Sequence, residues 1–260
     1  MSLDIGRILR DWPYEPGQVT VRRIRGDDGR DKIQLRLDLG VLQMETSGRP
    51  DGDRPHGYES LLEYHEHRLD RHRQEHGSEE GFSLDERACE LLRSEGTMYY
   101  HRYLAEFVLE DFEAVERDTM RNIRLFDFCR AYAREESDRF IMEQYRPYVL
   151  MMRSRARAHI FLRDNRPKSA LGVVKKGIEE IREFYKAFGQ EDLRSTSGEV
   201  AVLRAMAKEI ESRIPPDPLR RLKQELAKAV REEHYEEAAA IRDQIQRMTG
   251  RPPKEPGGSD

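Results

Sequence analysis

The loop GRPDGDRPHG, residues 48–57, gathers Arg49, Asp51, Asp53, Arg54 and His56. Two arginines held close together can grip an oxyanion such as phosphate through forked N–H donors. The two aspartates and His56 are alternatively of the type that holds a metal. The same residues also build a closed turn network, in which Asp51 and Asp53 accept backbone N–H groups and pair with the arginines. We favour the turn network and keep a ligand-binding surface, or an enzyme built on this loop, as the alternative, because function concentrates on loops. Further on, YHEHRLDRHRQEH carries His65, His67, His72 and His76. His72 and His76 stand at i, i+4, a spacing that can ligate a metal from one helix face. HExxH is missing and no cysteine joins them, so a solvated face is expected and no metal. No Walker A loop, GxSxG or GxGxxG occurs. We therefore expect no catalytic residues and no cofactor, with a spatially assembled site as the exception.

The elements that must position these residues are legible from periodicity. Ile5, Ile8, Leu9 and Trp12 fall on one helical face capped by Ser2 or Asp4, and Pro13 and Pro16 end it. The period then becomes two. QVTVRRI and DKIQLRLDLG flank the turn RGDDGR. Ile33, Leu35, Leu37 and Leu39 point one way and Gln34, Arg36 and Asp38 the other, as in a half-buried strand. After Gly40 the apolar positions slip to Leu42 and Met44, which suggests a bulge or sharp bend. Two or three antiparallel strands would be marginal alone and should lean on helices.

From Tyr58 the chain is helical. Leu61, Leu62, His65 and Leu69 form a narrow stripe, and Ser83 with Glu86 reads as a capping box. A long helical region runs from Leu84 towards Arg134, with Gly96 and LEDFE as candidate breaks. A helix starting at EESD should cross Pro147 with a kink. RDNRP at 163–167 is a turn, and the helix after it ends at Gly189. Two segments around these turns resemble tetratricopeptide hairpins, with Ala170 and Gly177 as small packing positions. An ordinary bundle accounts for the same residues. Val200, Leu203, Ala207, Ile210 and Ile214 line one more helix before PPDP at 215–218, the sharpest boundary in the chain.

Two short helices follow. Leu219, Leu222, Leu226, Ala229 and Val230 form one stripe; Tyr235, Ala238, Ile241, Ile245 and Met248 form the other. Asp243 is placed to pair with Arg247 at i+4, and Arg242 to reach an acid across the seam. DPLRRLKQELAKAVREEHYEEAAAIRDQIQRM resembles the UVR motif of the excision-repair proteins UvrB and UvrC, found also in the adaptor McsA and the unfoldase ClpC. Leu219, Leu222, Leu226, Ala229, Tyr235, Glu237, Ala238, Ala239, Ile241, Arg242, Asp243, Ile245 and Met248 carry the likeness. The resemblance implies an interaction module without chemistry of its own, with these positions other than Glu237 as the partner-binding set. The whole chain also resembles bacterial proteins that join this motif to the block IQLRLDLGVLQMETSGRPDGDRPHG. The helicase P-loop of UvrB, the nuclease domain of UvrC and the cysteine-rich modules of McsA have no counterpart here.

Composition sets the frame. Charged residues make up 37% and hydrophobic residues 37% of the chain, so a thin core with wide surfaces is expected. Net charge is −4, from 46 basic and 50 acidic residues that are interspersed, which predicts weak, salt-sensitive contact with nucleic acid. Cys89 and Cys129 read as buried thiols suited to a reducing compartment, and no apolar run is long enough for a membrane span. The expectation is a cytoplasmic α+β protein, mainly α. It has a small antiparallel β-containing unit at 1–57, a tetratricopeptide-like body at 58–214, a UVR hairpin at 216–249 and a disordered tail at 250–260. The expected function is that of a non-enzymatic adaptor binding a protein partner or a second copy. The runner-up is a nucleic-acid-associated repair or stress factor, with Arg153, Arg155 and Arg157 on phosphate.

Overall fold

A computed structural model describes residues 4–215 and 218–249. Pro216 and Asp217 of the PPDP break, Ser2 and the expected disordered tail at 250–260 lie outside the described residues. The chain divides into two compact units, Met1–Glu211 and Ser212–Asp260.

The first unit opens with helix α1, Gly6–Arg10, and a three-stranded antiparallel sheet in the order β1-β2-β3: Val21–Arg25, Asp31–Arg36 and Val41–Glu45. Helix α1 is shorter than its periodicity predicts and buries nothing; Ile5 and Ile8 stay exposed. The slip at Gly40 is the reversal of a tight hairpin, in which the Leu37 N–H donates to the Gly40 carbonyl at 2.9 Å. Register then places Leu35 opposite Leu42 and Ile33 opposite Met44, and this apolar face packs on Ala105 of a helix and on Leu109 just past its end. Central strand β2 is not half-buried. Lys32, Gln34 and Arg36 on its other face are buried too. Each is satisfied there: Gln34 by Arg22 and Gln43, Arg36 by the carbonyls of Trp12 and Gly40, Lys32 by Asp28 and Glu45. Leu37 and Leu39 fall in the turn and are exposed.

Helices α2 (Leu61–His76), α3 (Glu86–Val108), α4 (Phe112–Tyr132), α5 (Glu136–Phe140), α6 (Arg146–Arg163), α7 (Pro167–Ala187), α8 (Leu193–Thr196) and α9 (Gly198–Arg213) form the body. The buried face of α2 is Leu61, Leu62, His65 and Leu69. Asp85, rather than Ser83, caps α3 by accepting the Ala88 N–H at 2.8 Å. The break before α4 lies in LEDFE, where Glu110 takes a φ of 58° and Asp111 accepts the Ala114 N–H. Gly96 stays helical and lets Leu125 come close. Pro147 kinks nothing. It sits in the first turn of α6, where its missing N–H costs no helical bond. Successive helices pack in sequence, α3 on α4, α4 on α6 and α6 on α7. Ala170 and Gly177 are small packing positions of α7, as expected. Cys89 and Cys129 are free, buried thiols. Among the described residues no helix is long and apolar enough to cross a membrane.

Candidate functional site

The second unit contains α10, Pro218–Arg231, and α11, Tyr235–Thr249. Basic Lys228 and Arg231 close α10, and acidic Glu236 and Glu237 open α11, which suits both helix dipoles. Between them Glu233 adopts φ 59°, and the His234 N–H returns to the Ala229 carbonyl at 2.9 Å. Ala229, Ala238 and Ile241 are buried in the seam, with Leu222, Leu226 and Ile245 partly buried around them. Two of the three buried residues are alanines, which lets the helices approach closely. Leu219 is half-buried. Val230, Tyr235 and Met248 are 53%, 68% and 53% exposed, and Ala239 also faces outward. Among the described residues Arg242 reaches no acid across the seam; it lies 3.8 Å from neighbouring Asp243, both exposed. Arg247 donates at 3.3 Å to the main-chain carbonyl of Asp243 and not to its carboxylate, because a helical side chain leans back over the preceding turn.

Residues 217–248 match the family model described as UvrB/uvrC motif. This segment is a UVR motif. In UvrB- and UvrC-type proteins the motif serves protein or DNA interaction. No curated protein and no solved structure matches the chain.

In the loop 48–57, Arg49 pairs with Asp51 at 3.0 Å, and the Asp51 carboxylate accepts the Asp53 N–H at 3.1 Å. His56 leaves the group and stacks on Tyr64 of α2, ring centres 4.0 Å apart. Asp53 and Arg54 are exposed, and no side-chain ion pair ties them to the others among the described residues. Arg49 also lies 3.6 Å from Glu95, which is wholly buried on α3. Glu95 accepts the Leu61 N–H at 2.7 Å at the start of α2 and pairs with Arg121 of α4. One residue pair along, Arg102 binds Asp118 through two bonds of 2.6 and 3.0 Å and donates to the Glu45 carbonyl at 3.1 Å. The Arg102 and Asp118 side chains are each 1% exposed. Burial and the neighbouring Asp118 charge push the Glu106 carboxyl up to about 8, and burial brings Arg121 down to about 9. This network ties sheet, loop and helices together. Its signal was present in the sequence: Glu95, Arg102 and Glu106 occupy the same helical stripe as Leu92, Tyr99 and Tyr103.

The other candidates are occupied within the protein. Arg153 pairs with Glu180, Arg157 with Glu116 at 3.0 Å, and Arg155 stacks over Phe107 at 4.3 Å. His72 stacks on His76, ring centres 4.2 Å apart, and the ring nitrogens of both meet main-chain carbonyls. No cluster of metal-binding side chains occurs among the described residues.

Proposed function

We propose that this chain is a non-enzymatic adaptor that binds a protein partner, or a second copy of itself, through the UVR hairpin. The observation that carries the reading is the incomplete burial of the hairpin. Its seam covers one stripe of each helix and leaves Val230, Tyr235 and Met248 outward. Two facing helices of this length form a marginal unit, and a second hairpin against the outer apolar residues would complete a four-helix bundle. Tyr235 and Met248 are of the types enriched at interface centres.

A second reading, contact with nucleic acid, draws on α10. The sequence of that segment has Arg220, Arg221, Lys223, Lys228 and Arg231 and a single acid, Glu225. Such contact would be to phosphate and would weaken steeply with salt. The test is a pull-down and light-scattering comparison of the full chain with Tyr235→Glu, Met248→Glu and a chain lacking residues 216–250. The adaptor reading expects each change to abolish partner capture or self-association while helicity of the remainder persists. Unchanged association in all three, or capture of DNA that survives physiological salt, sinks it.

A further inference from the structure

The first unit contains a cavity of about 510 Å³ between α3, α4, α6 and the start of α9. Its walls include Tyr100, Tyr103, Tyr145, Tyr148, Phe126 and Met142. A concave, mostly apolar site with a few polar groups is the usual form of a small-ligand pocket. The charges at its wall decide what it would take. Arg93 is neutralised by Asp138, 3.5 Å away. Glu199, in the first turn of α9, has no ion-pair partner among the described residues, and its neighbour there is the Tyr185 hydroxyl. The pocket wall therefore carries one carboxylate, Glu199, without an ion pair among the described residues.

The aromatic rings add to it. Each ring face is negative and attracts a cation within about 6 Å. Elsewhere the protein fills such faces with its own arginines, over Trp12, Tyr99, Phe107 and Phe161 at 4.0–4.9 Å. Among the described residues no arginine stands over Tyr100, Tyr103, Tyr145 or Tyr148; Phe126 has Arg146 at 5.7 Å. Tyr100 meets Tyr103 and Tyr148 edge to face, at 5.5 and 6.0 Å between centres. Tyrosine rings without an arginine over them, a thioether and a carboxylate without an ion pair suit a weakly hydrated positive group.

We propose that this cavity binds an organic cation, a substituted ammonium compound whose charged head sits among the tyrosines near Glu199 and whose apolar body fills the remaining volume. This site is independent of the hairpin reading. The test uses the full chain and isothermal titration with choline, beside its neutral isostere 3,3-dimethylbutan-1-ol. Choline should bind saturably and the alcohol at least about tenfold more weakly, the scale of a desolvated cation–π contact. Glu199→Gln and Tyr145→Leu lie at half-buried and exposed positions, so both should fold, as a circular dichroism melt will verify. Each should raise the choline Kd severalfold. Absence of saturable choline binding, equal binding of the alcohol, or indifference of both variants overturns the proposal.

Discussion

Glu106 and His65 are buried titratable groups whose pH effects run in opposite directions. Burial lowers the His65 imidazole to about 4, so the folded state resists its protonation. Its contribution is complete above the ordinary histidine range and is lost as pH falls from about 6.5 towards 4. Glu106 has the opposite sign. Its folded carboxyl titrates near 8, well above an unfolded glutamate. From about pH 4.5 to 8 the folded chain therefore holds a proton that the unfolded chain has released, and stability falls as pH rises through that window. Below pH 6.5 the two effects offset each other; above it Glu106 acts alone. We expect urea-derived stability of the first unit to drop by about 1–2 kcal/mol between pH 6.5 and 8, and Glu106→Gln to flatten that slope. A slope unchanged in the variant would show that another group carries it. A residue's place on the buried face was readable here, since Glu106 keeps step with Leu92 and Tyr99. Its ion-pair partner was not, because Arg117, 2.8 Å away, comes from another helix, and pairing across helices leaves no local pattern.

At the level of elements, stripes of apolar residues placed α2, α9 and the two hairpin helices nearly as observed. Readings failed where one residue type has two uses. Pro147 reads as a kink or as a helix start, and only the break at Glu143–Tyr145 before it decides. The polar face of β2 reads as solvent-exposed, yet Gln34 and Arg36 are buried because side chains and carbonyls satisfy them. The small residue Gly177 marks a close approach that is now specific. A methyl group there would meet Ser154 of α6, with the Ser154 Cβ only 2.7 Å away, so α6 and α7 would have to part. Gly177→Ala should lower stability by about 1–3 kcal/mol despite its better helix propensity. Adding Ser154→Gly should recover part of the loss, since the two sites share one contact. Additive losses in the double variant, measured by denaturant titration, would place the strain elsewhere.

For the whole molecule the issue is how far the hairpin depends on the rest. Proline chemistry sets the expected boundary at PPDP, and the compact units divide between Glu211 and Ser212. The outer function was legible only as far as the UVR likeness reaches, while the tyrosine cavity was not: Tyr100, Tyr103, Tyr145 and Tyr148 are ordinary core candidates until α3, α6 and the turn before α6 bring them together. Ile241 is the largest buried side chain in the hairpin seam among the described residues. Its removal costs about 1.5–3 kcal/mol of burial, and a carboxylate put in its place adds the penalty of a buried charge. A hairpin this small has little stability in reserve. Ile241→Glu should therefore melt α10 and α11, seen as a loss of helical circular dichroism proportional to their share of the chain. The main calorimetric transition of the first unit should stay within a few degrees of its original midpoint. If that transition moves down sharply or disappears, the hairpin is part of the body's core, and docking through it is the wrong account.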